Sequence, residues 1–377
     1  IPIVPGYQGE DQSERALLEA ANAIAYPLLI KASAGGGGKG MRIVTNEKEC
    51  RASILACQRE ALSSFGNDTL ILEKLITPAR HIEVQIIVDH TGQALHLFDR
   101  ECSLQRRHQK ILEEAPAPSL SKELRLALTE CACDVAQTMT YRGVGTIEFL
   151  VDSHSNFYFL EMNTRLQVEH PITEMITGID LVEWQIKVAH NISLNCKQAD
   201  ITITGHAFEA RICAENTRKD FLPSIGRLDL FRHPQDSATC RFETGLQTGD
   251  LITPYYDPLI AKLIVFGKTR KESLEKLTKG LKDTHIAGVH TNVMLLCNLS
   301  QHPLIETGTY TTSFITEALS TLQGEARPPE AVLLLASLMT VEAQAKKNKK
   351  QAQTASEPHS PRLSTDHWRM SYQEKTS

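Results

Sequence analysis

Leu28-Leu29-Ile30-Lys31-Ala32 runs into Ser33-Ala34-Gly35-Gly36-Gly37-Gly38-Lys39-Gly40, and Met41-Arg42-Ile43-Val44 then resumes the apolar pattern. Both flanks carry the short branched run of a strand, so the glycines connect two extended segments. Glycine backbone N–H groups can close over phosphate oxygens, and Lys31 and Lys39 supply positive charge beside them. A Walker loop opens a helix after its G-K-[ST]. Here Gly40 is followed by Met41 and a strand, which describes a phosphate-covering hairpin over 31–44 or, on the glycines alone, a flexible turn.

Working outward, 11–25 places Ala16, Leu17, Ala20, Ala21 and Ile24 on one stripe and predicts a helix stopped by Pro27. A second helix is predicted over 47–62, then strands over 70–75, 81–88 and 95–98, the middle one alternating Ile82, Val84, Ile86 and Val88. A helix over 122–139 precedes a strand pair at 145–151 and 157–162. From Ile201 the texture turns to short strands and Gly/Pro turns, with a helix over 271–282, so a β-rich second domain is expected. The tail from Lys346 to Ser377 is polar and aperiodic.

Composition narrows the function classes. Forty basic against 45 acidic residues leave a net charge of -5, which excludes a general attraction to nucleic acid and makes any anion site local. Apolar residues at 41% support a folded core, while the longest apolar stretch, near 331–338, is too short for a bilayer span. The nine cysteines show neither zinc-knuckle nor thioredoxin spacing and are read as reduced thiols.

Three constellations carry chemistry. Glu148 on one predicted strand, with Glu161 and Asn163 on the next, offers hard oxygen donors for Mg²⁺. Period two would send Phe157, Phe159, Glu161 and Asn163 to one side, with the phenylalanines inside and the polar pair at the strand end. Asn163, Arg165, Gln167 and Glu169 continue at alternate positions. An extended segment would line one face with them, a guanidinium to bind a small oxyanion and a carboxylate to remove a proton. The third is the basic block Gln105-Arg106-Arg107-His108-Gln109-Lys110, which suits a phosphate or bicarbonate, although such a block is commonly a solvated charge run. Read alone, His81 and Arg211 default to a local hydrogen bond and a structural ion pair.

Taken in order, these segments closely resemble the biotin carboxylase component of biotin-dependent carboxylases, an ATP-grasp family. The resemblance covers nearly all of 1–325, in six blocks: Lys31-Ala32 with Gly35–Gly40, Glu73–His81, Arg100–Ser103 with Gln105–Lys110, Glu113–Pro118, Glu161–Glu174 and Gly205–Glu215. It implies an α+β fold: an ATP-grasp domain over 1–198, with the hairpin at 31–44 and the metal and bicarbonate site at 148–171, then a β-rich biotin carboxylase C-terminal domain over 199–325. A linker or the start of an interrupted domain would occupy 326–377. The family's N-terminal α/β domain would precede Ile1, and its biotin carrier would lie outside these residues, because no Ala-Met-Lys-Met motif occurs.

The resemblance also implies roles. Lys31, Gly37, Gly38, Glu73, Lys74, Leu75, Ile76, His81, Gln105 and His108 match positions that bind ATP. Glu148, Glu161 and Asn163 match those that hold Mg²⁺ or Mn²⁺. Lys110, Arg165, Gln167, Val168 and Glu169 match the bicarbonate site, with Glu169 as base, and Arg211 matches the position that stabilises the biotin enolate. The activity implied is ATP-dependent carboxylation of biotin through carboxyphosphate. The implied setting is an oligomer with a biotin carrier domain and a carboxyltransferase β subunit, in the mitochondrial matrix of a eukaryote or the cytoplasm otherwise. Gly6–Ser13, Gly205–Arg211 and the tail near 359–372 look most like the α subunits of the 3-methylcrotonoyl-CoA carboxylase branch, while propionyl-CoA and other acyl-CoA carboxylases share the catalytic blocks, and a truncated, non-catalytic assembly subunit is the alternative from another class.

Overall fold

The computed structural model describes residues 1–35, 41–324 and 330–354, and groups 1–324 into one compact unit. The first elements are β1 (Gly6–Tyr7), α1 (Glu14–Ile24), β2 (Leu28–Ala32), β3 (Arg42–Val44), α2 (Glu47–Phe65) and β4 (Leu70–Lys74). Their strands pair in the order β1-β4-β2-β3, as the predicted flanks of the glycine run require, although Gly37 and Gly38 themselves lie outside the described residues. Both helices have side-chain caps: Ser13 accepts from the Ala16 N–H, Asn46 accepts from the Glu49 N–H, and Gly66 closes α2 at φ 71°. One apolar side of each helix, including Leu17, Ala21, Ile54 and Cys57, is buried against Leu28, Ile30, Leu70 and Leu72.

A larger sheet follows from β5 (Ala79–Val88), β6 (Ala94–Arg106), β7 (Gln109–Ala115), α3 (Lys122–Thr138), β8 (Gly143–Asp152), β9 (Phe157–Asn163), α4 (His170–Thr177), α5 (Leu181–Ala189) and β10 (His206–Cys213). Two strands beyond β10, Cys240–Thr244 and Leu259–Gly267, complete eight. The boundary expected near 199 falls just before β10, yet β10 hydrogen-bonds β7, so the sheet is continuous across that point. Backbone pairing has joined what composition divides. The helix expected over 271–282 is present at Arg270–Lys282, and the region after 201 holds further helix that its Gly/Pro texture does not suggest, at Val293–Ser300 and Phe314–Leu322.

Each face of the sheet has its own chemistry. On one, Ile82, Val84, Ile147 and Phe149 pack under α3, and Phe208, Ala210 and Ile212 pack under the helix at Arg270–Lys282. The other carries a charged row across the strands, because Glu161 pairs with Glu148, Glu148 with Glu83, Glu83 with Arg100, Glu113 with Glu209 and Arg211 with Lys262. Helix α4 lies over this row through Ile172 and Ile176, which pack on Ala115, Ala207 and Ile264.

Helix Glu330–Thr354 belongs to a second unit and runs through the lysines expected to begin an aperiodic tail. Ala, Lys and Gln are good helix formers, and the segment holds neither Gly nor Pro to stop it. Among the described residues, no helix is long and apolar enough to cross a membrane.

Candidate functional site

The charged row becomes a site at the end of the β6–β7 hairpin. Gln105 pairs with Lys110 and Arg106 with Gln109, leaving Arg107 and His108 as a two-residue turn with φ of 50° and 64°. The basic block therefore divides. Gln105 and Lys110 serve the site, while Arg106 pairs with Glu215 and Arg107 with Asp220.

Lys110 Nζ donates to Glu83 Oε2 at 2.5 Å, Glu169 Oε1 at 2.6 Å and Glu148 Oε1 at 2.8 Å. Three carboxylates around one half-buried ammonium are more acceptors than a surface ion pair gathers, and they hold its pKa well above the usual lysine value against the opposing effect of burial. Arg211 donates from Nε to Glu113 Oε1 at 2.6 Å and from an η nitrogen to Glu169 Oε2 at 2.9 Å. Glu169 thus lies fully buried between two cations. Burial works to raise its pKa, but Lys110, Arg211 and Arg100 outweigh that and keep it well below the ordinary carboxylate value. Glu169 occupies the N-cap position of α4 yet makes no side-chain cap hydrogen bond, because its carboxylate is committed to Lys110 and Arg211.

The segment after β9 does not stay extended as expected. β9 ends at Asn163, 164–167 is irregular and α4 begins at His170. Its polar residues converge nevertheless: Arg165 donates to Asn163 Oδ1 and Gln167 Oε1, both at 3.1 Å, and Gln167 donates to Glu148 Oε1 at 3.4 Å. Val168 contributes its carbonyl, which accepts from Lys262 Nζ at 2.9 Å.

The predicted facing of β9 also needs correction. Glu161 is paired with Glu148 but Phe159 with Phe149, so Leu160 is an extra residue in the ladder. This bulge inverts the alternation, placing Phe157, Phe159 and Met162 on the apolar face and Glu161 and Asn163 on the charged one. Glu161 is accordingly exposed rather than enclosed by its apolar neighbours. Asn163 Nδ2 reaches Glu148 at 3.1 Å and Glu161 at 3.4 Å. Two carboxylates directly opposite on an antiparallel pair repel, and a divalent cation bound to their oxygens would offset that.

His81 Nε2 lies 2.9 Å from Glu148 Oε2, while Gln105 Nε2 contacts His81 Nδ1 at 2.5 Å. Burial opposes the charge on Glu148, but His81 and Lys110 hold its pKa far down. On the smaller sheet Lys31 pairs with Glu73. His108, at the hairpin tip, is close enough to Lys31 and His81 for both to depress its pKa, after burial. The Lys74 ammonium turns away from this group to the carbonyls of Ala25 and Tyr26, at 3.1 and 3.0 Å. The Leu75 N–H donates to Pro27, and Ile76 follows in the half-buried connection to β5.

Sequence reasoning passed over Glu83 and Arg100. Arg100 is 0% exposed and donates to Glu83 at 2.5 Å, Gln85 at 2.6 Å, Thr173 at 2.9 Å and Thr146 at 3.1 Å. It thereby fixes a Lys110 partner and ties α4 to β5 and β8. A signal existed in β5: while Ile82, Val84 and Ile86 mark one face, His81, Glu83 and Gln85 occupy the other parity.

A sheet crossed by a charged row, a cation-flanked carboxylate and a smaller sheet whose β2 and β3 flank the glycine run define an ATP-grasp architecture. The chain belongs to the biotin carboxylase family: residues 1–197 match the carbamoyl-phosphate synthase L chain ATP-binding domain, and 209–317 match the biotin carboxylase C-terminal domain. It is 45% identical over 324 residues to a biotin carboxylase of Halalkalibacterium halodurans, covering 86% of this chain and 71% of that one. More particularly, it is 46% identical over 375 residues to the mitochondrial methylcrotonoyl-CoA carboxylase subunit alpha of Dictyostelium discoideum, covering 99% of this chain and 53% of that one. The chain thus spans about half the length of that relative. Among solved structures, the biotin carboxylase domain of Hydrogenobacter thermophilus 2-oxoglutarate carboxylase, with MgADP, ADP and bicarbonate, superposes with a TM-score of 0.84 at 41% identity, covering 87% of this chain and 72% of that one.

Proposed function

We propose that this chain carries the site for ATP-dependent carboxylation of biotin by bicarbonate, the first half-reaction of a methylcrotonoyl-CoA carboxylase in leucine breakdown. The observation that carries this reading is Glu169, buried and ionised, with Lys110 and Arg211 on its two oxygens. An ionised carboxylate can accept a proton, and the adjoining cations would attract the anion that gives it up. With its pKa depressed Glu169 is a weak base. Bicarbonate drawing Lys110 toward itself would withdraw positive charge from Glu169 and strengthen it.

Bicarbonate would lose its proton to Glu169 and attack the γ-phosphorus of ATP, with ADP leaving and carboxyphosphate forming. Carboxyphosphate would break into CO₂ and phosphate, and biotin N1′ would add to the CO₂ as it passes its own proton to the released phosphate. Glu148, Glu161 and Asn163 offer the hard oxygen ligands that suit Mg²⁺ or Mn²⁺, which when bound supplies charge compensation for phosphate oxygens. Lys31, Glu73 and His108, with the 36–40 segment, would bound the nucleotide side, and Lys74, Leu75 and Ile76 would meet it through the backbone. Arg211 would move from Glu169 to the developing biotin oxyanion.

The 3-methylcrotonoyl-CoA reading draws on the Dictyostelium relative and on a mouse methylcrotonoyl-CoA carboxylase alpha subunit, 50% identical over 315 residues. The propionyl-CoA carboxylase alpha chain of Caenorhabditis briggsae, 46% identical over 318 residues, keeps that acyl group as the second reading. A biotin carrier domain, a carboxyltransferase β subunit, an oligomer and the mitochondrial matrix complete the proposal. The test is phosphate release from Mg·ATP with and without bicarbonate and free biotin. Release requiring both supports the reading, whereas release indifferent to both overturns it for this polypeptide.

A further inference from the structure

The site's second layer contains a carboxylate excess. Glu113 on β7 and Glu209 on β10 are directly paired across the strands, 1% and 0% exposed, beneath α4, the helix that follows Glu169. Glu113 Oε1 accepts from Arg211, but Glu113 Oε2 and both Glu209 oxygens have no hydrogen-bond partner. The cations nearby are engaged elsewhere: Arg211 with Glu113 and Glu169, and Lys262 with the Val168 carbonyl at 2.9 Å and Glu243 at 2.7 Å. Two buried like charges on facing positions, three of their four oxygens bare, form a costly arrangement.

One proton removes most of that cost. We propose that Glu209 is protonated and donates its O–H to Glu113 Oε2, which makes Glu209 a positioning residue that fixes Glu113 and, through it, Arg211. The proton belongs on Glu209 because Glu113 already has a guanidinium to stabilise its negative form and Glu209 has none. Burial is the largest influence and favours the neutral form of Glu209; Lys262 comes next and opposes it with Arg211, while Glu113 and Glu169 add to burial, and the balance lies well on the neutral side. With Glu209 neutral, Glu113 and Glu169 keep Arg211 and Glu243 keeps Lys262, so each charged carboxylate of this layer has a cation.

The proton itself is tested independently of catalysis, on the full chain. Infrared difference spectra of wild type against Glu209→Gln at neutral pH are expected to show a protonated-carboxyl C=O band that the variant lacks. The sign of the pH dependence follows from the same state. The folded protein keeps a proton that an unfolded Glu209 releases above about pH 4.5, so wild type should lose thermal stability relative to Glu209→Gln as pH rises, with a slope difference of about one proton. No band difference together with parallel stability curves would mean an ionised, water-held Glu209 and would overturn the proposal.

The positioning role rests on the biotin carboxylase reading and has its own readout. Glu209→Gln keeps a donor for Glu113 and Glu209→Leu does not. In biotin-dependent phosphate release, the leucine variant should lose on the order of tenfold in kcat/KM for biotin relative to the glutamine variant, with the KM for ATP alike in both. Equal behaviour of the two variants toward biotin would overturn the positioning role while leaving the infrared result to decide the proton.

Discussion

The two cationic ends of the site are built differently. At the end proposed for the nucleotide, Lys31 and Glu73 form a single ion pair on a four-stranded sheet, with side chains 18% and 17% exposed. At the other end Lys110, Arg100 and Arg211 share six carboxylate contacts with Glu83, Glu113, Glu148 and Glu169 beneath α4. The first end can exchange its partner for a ligand at small cost. The second is an interlocked lattice, in which removing one ion strands its neighbours in a poorly solvated space.

The sharpest way to break this contrast is Lys110→Met. Stranding Glu83, Glu148 and Glu169 is expected to cost about 3–5 kcal/mol in denaturant unfolding and to abolish bicarbonate-stimulated phosphate release. A variant as stable as wild type would show that the lattice does not act as a unit. Glu169→Gln should lower that phosphate release by roughly 10²–10⁴-fold with ATP binding kept; matching losses in ATP affinity would deny it the role of base.

The same substitution has a pH signature. Because the folded pKa of Glu169 is depressed, its stabilising contribution is present above its unfolded value, near 4.5, and is lost as pH falls through the lower folded value. Thermal melts below about pH 4.5 should therefore decline less steeply for Glu169→Gln than for wild type.

Lys31→Met, at the open end, should cost no more than about 1 kcal/mol while raising the KM for ATP. A larger stability loss would make the two ends alike. Smallest of all is Glu161→Gln on the exposed edge strand, expected within about 0.5 kcal/mol of wild type in unfolding. Its effect should be seen instead as a higher Mg²⁺ requirement in phosphate release, and an unchanged requirement would remove Glu161 from the metal set.

Strand patterns near the site were legible where one face is apolar: the alternation Ile82, Val84, Ile86 is the apolar face of β5 packed under α3, and the flanks of the glycine run are β2 and β3. The same rule failed at Leu160, since a bulge adds one residue without any local mark in an all-apolar run. Arg106 and Lys110 look equivalent in sequence, yet one closes an ion pair with Glu215 and the other joins three carboxylates. Their hairpin register separates them.

By itself the sequence determined the parts: the glycine run between strands, the carboxylates and amide of 148–163, the guanidinium and carboxylate of 165–169, and the family they resemble. These follow from local chemistry and short-range period, which a linear chain displays directly. Only the tertiary structure decided which charges meet. Glu83, Arg100, Glu113, Glu209 and Lys262 come together through cross-strand pairing between segments as distant as β5 and Leu259–Gly267, and burial under α4 then makes each one's ionisation depend on the others. Pairing register and loss of water are properties of the folded sheet, and no single segment contains them.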